Sequence, residues 1–594
     1  MLRPHLTRLA ALVIALAATA PAAAQESPLA QVPAKAPLVV QVHGYPRTKD
    51  RLMTMVKNAI PDFGGLVEAS IDEQIINLLD ERELNGLDPD GPIFIAFTEL
   101  PKPEDEVEPP VAFVLRVTDY AHFRDGFLTK AEKKTLKKDK GGFEVVKFMD
   151  EKDLFLVSRK GYAILTTTRE AAVLYTKAFE GLDAKLGQEA AAEFLRPDLA
   201  VYVDLGSIMK VYREEIANLR QLLEMNLQQE QANPFGGSSK EDLDKFFEAL
   251  KDAETLLVGL TFQPDGLAVR GEVVVRPGSK TSKAFQGHKP QALTEIGTLP
   301  AGFMVYGASA PDKNAANPLQ PFMQPLLTTP DSKEGKELKA LLDQTAQTGA
   351  GLTLEAGNIP SGGIMVSEMD DPRKTTELQL KILTLIGKHE SLQKPLLIKN
   401  VTVKPNAQTH RGFELHAYTY EIDLEAIPAD QPEQQMIIDA MKKIFAGKQQ
   451  AWFGTDGKVF VQVAGRNWAE AQKTLDQFFD KKNSIGGQKS FQMARKQLPA
   501  QASELYLIHS PALVSFFMEF FYAGAKAAGL PDLGPLPKPA LKPGQGDYLG
   551  FAVATQDTRG RFDLWIPGSM ARDIQKAVEP IIKKLIQDGG GIQP

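Results

Sequence analysis

The sequence predicts an α+β fold: two tandem pseudo-repeats, each of mainly antiparallel sheet with amphipathic helices packed on one face. Three observations carry this reading. Four segments share one plan, an extended apolar run leading through a turn into an amphipathic helix; they open at Leu38-Val39-Val40-Gln41-Val42, Leu199-Ala200-Val201-Tyr202-Val203, Phe303-Met304-Val305-Tyr306 and Leu505-Tyr506-Leu507-Ile508. Strands inside each half are separated mostly by short turns and mix alternating with continuous apolar patterns, which favours antiparallel pairing over doubly wound alternation. The segments also match in pairs, first with third and second with fourth.

The elements follow in chain order. Leu52, Val56 and Ile60 give the first helix an apolar stripe, and Asp88-Pro89-Asp90-Gly91 is a turn into the strand at Pro92-Ile93-Phe94. The basic stretch from Lys130 to Lys140 precedes Gly141-Gly142 and reads as a solvated helix end or loop. In the second segment the stripe is Val211, Ile216, Leu219, Leu223 and Leu227. Gly259-Leu260-Thr261-Phe262 then enters a hairpin through Gln263-Pro264-Asp265-Gly266 that ends at Arg276-Pro277-Gly278-Ser279.

The third segment repeats landmarks of the first. Gly142-Phe143-Glu144-Val145 corresponds to Gly412-Phe413-Glu414-Leu415, and Gly161-Tyr162-Ala163-Ile164-Leu165 to Gly457-Lys458-Val459-Phe460-Val461, at separations of 270 and 296 residues. The second copy has therefore gained material between them, placed at Asp423 to Gln450. Asp370-Asp371-Pro372 reads as a helix start. In the fourth segment Gly550-Phe551-Ala552-Val553 leads to Ile566-Pro567-Gly568-Ser569, so glycine and proline are 17 residues apart, against 18 in the second segment. Proline ends a ladder, glycine permits the turn and serine caps the next helix, so helices are expected directly after Ser279 and Ser569. The helix from Leu513 to Tyr522 is apolar nearly all round and is expected in the core, or lining a hydrophobic cavity.

Domain boundaries follow: a signal peptide at 1–24, a linker at 25–35, repeat one at 36–290 and repeat two at 300–594. Arg3 and Arg8 flank an apolar run too short to span a bilayer, and Ala22-Ala23-Ala24 is a small-residue cleavage site. The chain is therefore expected to be exported, to the periplasm or the extracellular space. Surface loops are expected at Pro101 to Pro110, Gln228 to Glu241 and Gly529 to Gly546.

Composition narrows the chemistry. The 594 residues contain no cysteine, which removes disulfides, thiolate catalysis and cysteine metal sites. Removal of Arg3 and Arg8 takes the formal charge from −7 to −9, which argues against a nucleic-acid partner. No later segment has the apolar length of a transmembrane helix.

No catalytic, cofactor-binding or metal residue is assigned, and no cofactor is expected. There is no Gly-x-Ser-x-Gly elbow, and Gly278-Ser279-Lys280-Thr281 lacks the frame of a phosphate loop. His389-Glu390 opens like a zinc-protease helix, but Gln393 stands where the second histidine is needed. His410, Glu414 and His416 would share the polar face of a strand running from His410 to Tyr420, opposite Phe413, Leu415 and Ala417. His43 and His509 each end the first strand of a module, where Asp204 stands in the second, and they introduce helices capped by residues such as Ser207 and Ser510.

The strand-helix modules, the Gly86-Leu87-Asp88-Pro89 turn into Pro92-Ile93-Phe94 and the leader together resemble large exported bacterial proteins of unknown function. The architecture is more loosely similar to periplasmic lipoprotein carriers, a resemblance that implies a curved sheet around a greasy cavity. The expected function is non-catalytic: an exported binding or envelope-associated scaffold protein acting on an unknown protein or envelope component. The alternatives are a carrier of a lipid or other hydrophobic ligand, or an enzyme of unrecognised type. Intact-mass analysis of the exported protein is expected to find Gln25, or its pyroglutamate, at the N-terminus; a soluble species beginning at Met1 contradicts the leader.

Overall fold

The computed structural model describes residues 26–79, 82–101, 109–148, 152–229, 240–286, 289–310, 332–358, 362–427, 447–527 and 546–587, with residues 435, 438, 439, 441, 442, 444 and 445. The leader at 1–24, the segments 102–108, 230–239 and 529–545 within the expected loops, and much of Asp423 to Gln450 lie outside them. The chain forms two compact units: residues 1–45, 81–101 and 105–196, and residues 46–80, 102–104 and 197–594. These units do not coincide with the repeat boundaries read from the sequence.

In the first unit the strands are β1 (Leu38–His43), β2 (Pro92–Phe97), β3 (Val111–Arg116), β4 (Lys137–Lys138), β5 (Glu144–Phe148), β6 (Lys152–Arg159) and β7 (Tyr162–Thr166). They pair antiparallel in the order β1-β2-β3-β7-β6-β5-β4. Phe123, Leu128, Val146, Leu154, Leu156 and Leu165 form a core under the short helices Tyr120–Phe127 and Lys130–Lys133. Asp119 caps the first by accepting from the His122 N–H, and Thr129 and Glu132 cap the second reciprocally. The lysines of the basic stretch point into solvent around this helix and the β4 hairpin.

An ion pair is sealed into this unit. The Arg82 guanidinium meets both Glu132 carboxylate oxygens, at 2.5 and 2.9 Å, donates to the Phe127 carbonyl at 3.1 Å and lies 4.3 Å from the Phe148 ring centroid. The two side chains are 3% and 9% exposed. Burial works to raise the Glu132 pKa, but hydrogen bonds from Arg82 and Thr129 outweigh it and hold the carboxyl below its ordinary value.

The second unit carries β8 (Leu199–Asp204), β9 (Ala253–Gln263), β10 (Gly266–Val275), β11 (Val305–Ser309), β12 (Ala350–Gly357), β13 (Gly363–Met369) and β14 (Ile398–His410). It continues with β15 (Phe413–Ile422), β16 (Lys448–Thr455), β17 (Val459–Ala464), β18 (Glu504–His509), β19 (Tyr548–Gln556) and β20 (Arg559–Pro567). All its pairings are antiparallel, in the order β14-β15-β16-β17-β13-β12-β11-β18-β19-β20-β10-β9-β8. Strands β11 to β17 thus pair among themselves in the sequence in which β1 to β7 do, and β18-β19-β20 is a meander like β8-β9-β10. Gly142 and Gly412 both turn with positive φ, +86° and +83°, directly before a buried phenylalanine, Phe143 or Phe413.

One face of this sheet packs on helices Trp468–Phe479 and Lys489–Gln497, where Leu415, Trp452, Val461, Leu505 and Leu507 meet Ala471, Leu475, Phe491 and Ala494. The opposite face is covered near β14 and β15 by helices Lys333–Ala346 and Pro372–Lys388, whose Leu338, Leu342, Ile382 and Ile386 cluster with Val401 and Tyr420. Helices therefore lie on both faces of this part of the sheet, not on one. Asp371 caps the helix Pro372–Lys388 by accepting from the Lys374 N–H.

Four local expectations are corrected. His410 to Tyr420 is not one strand, because Arg411 and Gly412, both at positive φ, turn the chain between β14 and β15. The apolar stripe from Val211 to Leu227 is broken at Tyr212 into helices Leu205–Val211 and Arg213–Gln229. The helix Ser510–Ala527 is no core helix: Phe517 and Phe521 are 59% and 50% exposed. Ser279 caps the helix Lys280–Gln286 through the Ser282 N–H, whereas the helix Gly568–Gln587 already includes Ser569, whose hydroxyl donates to Asp547. The reason is strand length, since β10 stops at Val275 and β20 runs through Pro567.

Arg82→Ala leaves Glu132 buried without its partner and is expected to destabilise the first unit by about 3–5 kcal/mol in denaturant titration. The pair's contribution is present above the unfolded carboxylate pKa of about 4.3 and is lost as pH falls through the lower folded value. Stability that is unchanged in the variant, or that rises on acidification through this range, contradicts this assignment.

Candidate functional site

Directly opposed residues of an antiparallel pair share a face, so the strand registers trace which side chains line the sheet away from the Leu505 and Leu507 core. One row runs Glu355, Gly307, Tyr506, Phe551, Leu564, Val269 and Leu260 across β12, β11, β18, β19, β20, β10 and β9. The next runs Glu504, Val553, Phe562, Gly271, Val258 and Val201, and beyond the first row on its other side lie Val305, Ile508 and Leu549, and Ile566, Leu267 and Phe262. Steric contacts confirm the common face: a Cβ at Gly271 would collide with the Phe562 ring, and one at Gly307 would lie 2.5 Å from Glu355 Oε1 and 2.9 Å from Tyr506 Cε1.

Among the described residues this face is apolar and only partly covered: Phe285 of the helix Lys280–Gln286 packs on it at Gly560, and Phe262 is buried at its far edge. Phe551 and Phe562 are 37% and 38% exposed, and Tyr506, Leu564, Val269 and Leu260 are only half-buried, while their neighbours Leu505, Leu507 and Ala552 on the other side are fully buried. Seven strands at about 4.8 Å spacing make the first row about 29 Å long. Apolar side chains laid side by side over that distance form a contiguous patch of the kind that marks a binding surface.

Its rim is acidic. Glu355 lies over Gly307 beside Tyr506; burial, and then the neighbouring Glu504 carboxylate, raise its pKa above the ordinary carboxylate value. Burial raises the Tyr506 pKa too, so the phenol is neutral. Asp563 faces the other way and is buried between Arg270, at 3.0 Å, and Arg561, at 2.6 Å.

The histidines singled out in the sequence are not brought together. His410 Nε2 lies 2.9 Å from Asp476, with its ring against Trp468 on the helix-covered face. His416 accepts from the Asn406 N–H through Nδ1, and burial lowers its pKa against the pull of Glu414. Among the described residues no group of three or more histidines and carboxylates is placed to hold a metal ion. His43 Nδ1 lies 2.9 Å from the Leu195 carbonyl, and His509 packs on Tyr548. Asp204 itself, not Ser207, caps the helix after β8, and the Ser510 hydroxyl donates to Asp573. Gln393 is buried and donates to the Ile386 carbonyl, a structural role.

A separate cleft of 140 Å³ beside Lys399, Glu421, Leu424 and Phe445 is too small for an organic ligand, and Lys399 there is paired with Asp423 at 3.0 Å. Among the described residues no helix is long and apolar enough to cross a membrane.

The open face escaped the sequence reading because continuous runs such as Leu549-Gly550-Phe551-Ala552-Val553 look the same whether a strand is covered on both sides or on one. Comparison with protein-family models, with curated proteins and with solved structures finds no match.

Proposed function

We propose that this chain is an exported, non-catalytic binding protein that takes a hydrophobic ligand on the open sheet face of its second unit. The exposed pair Phe551 and Phe562, at the centre of a half-buried apolar field, is the observation that carries the reading. An aqueous sheet face would normally present polar residues at alternate positions, and here the alternate positions are aromatic and aliphatic. The order of strand pairing supports a tandem duplication behind it. So do the hairpins β9-β10 and β19-β20, which meet along β10 and β20 so that Arg270 faces Asp563, each four residues into its strand. Equivalent positions in two copies thus carry opposite charges and pair with each other, which favours union within one chain over self-association of either copy. Pro277 and Pro567 do not share a place in this register, since Val274 occupies the position of Pro567.

Native mass spectrometry of the protein isolated from its own envelope is expected to find a stoichiometric hydrophobic molecule that is lost in Phe551→Asp/Phe562→Asp. Ligand-free protein, or a molecule retained by the double variant, overturns the reading.

A further inference from the structure

The charge at the rim of the apolar face restricts what its ligand can be. Glu355 and Glu504 stand on the two strands flanking β11, opposite Gly307 and Ser309, and the glycine leaves room for the Glu355 carboxylate and the Tyr506 ring above it. Among the described residues neither carboxylate has a hydrogen bond or a cationic partner, in contrast to Asp563 on the other face. Glu355 is half-buried, so its charge is poorly solvated and is stabilised by a cation brought to it. An aromatic ring beside two carboxylates is suited to an ammonium group, which the ring face attracts as well. An anionic head would meet repulsion from both acids.

We infer that the ligand is a cationic amphiphile whose ammonium head lies between Glu355 and Glu504 beside Tyr506 and whose tail crosses Phe551, Phe562 and Leu564. This rests on the proposed hydrophobic site. The row from Tyr506 to Leu260 continues away from the head for four more strands, at about 4.8 Å each, enough for an extended alkyl chain of ordinary lipid length.

The test uses the full mature protein and three twelve-carbon probes below their micellar concentrations: dodecyltrimethylammonium, dodecyl maltoside and dodecanoate, titrated by calorimetry. The ammonium probe is expected to bind about tenfold more tightly than the maltoside, and dodecanoate more weakly than either. Glu355→Gln/Glu504→Gln is expected to abolish that tenfold preference while leaving maltoside affinity unchanged, which also shows that the variant is folded. Equal binding of all three probes, tighter binding of dodecanoate, or a preference that survives the double substitution overturns the head-group assignment alone. Failure of every probe to bind overturns the hydrophobic site and this inference with it.

Discussion

Side-chain alternation along β18, β19 and β20 is the constraint on which the second unit depends. A strand sends successive residues to opposite faces, so Leu505, Leu507, Ala552 and Trp565 enter the core under the helices Trp468–Phe479 and Lys489–Gln497. The same backbone then has no choice but to send Tyr506, Phe551, Phe562 and Leu564 the other way. A one-residue slip in any of these registers would exchange the two sets and place Asp563 on the open face, away from Arg270. The buried Asp563 contacts with Arg270 and Arg561 therefore help to hold the register that presents the apolar field.

Coverage, not composition, distinguishes the two ends of this sheet. Near β14 to β17 the face that carries Phe453, Phe460 and Tyr420 is shielded, with Phe453 and Phe460 fully buried and the helix pair Lys333–Ala346 and Pro372–Lys388 clustered around Tyr420. Along β18 to β10 the corresponding face, among the described residues, is covered only at the Gly560 end, by Phe285, and leaves Phe551 and Phe562 exposed. The helix Ser510–Ala527 is apolar enough to serve as a cover, yet it leaves Phe517 and Phe521 in solvent. Two apolar surfaces left unsatisfied in one unit are costly in water at roughly 25 cal/mol per Å², a cost that a ligand occupying them would offset.

Much of the fold was legible in the sequence because it rests on local signals. The antiparallel α+β character follows from short turns between apolar runs, and the positive-φ glycines 142 and 412 mark their hairpins in both halves. The site was not legible. Whether Leu256 to Leu260 or Leu549 to Val553 is covered on one side or two depends on where distant helices dock, which periodicity does not encode. Glu355 looks like an isolated polar interruption in its strand, and only the register through β11 brings it near Glu504. The split of His410 from His416 was signalled by Arg411-Gly412, a hairpin turn inside what reads as one polar strand face.

Because the chain contains no cysteine, a single introduced thiol reports directly on which face of β19 is open. In protein stripped of bound ligand, native-state maleimide labelling of Phe551→Cys is expected to be rapid, while Ala552→Cys, one residue along and fully buried, is protected until the protein unfolds. Equal protection of both positions would mean that the apolar face is covered in the folded protein, and the account of an open binding surface would fail.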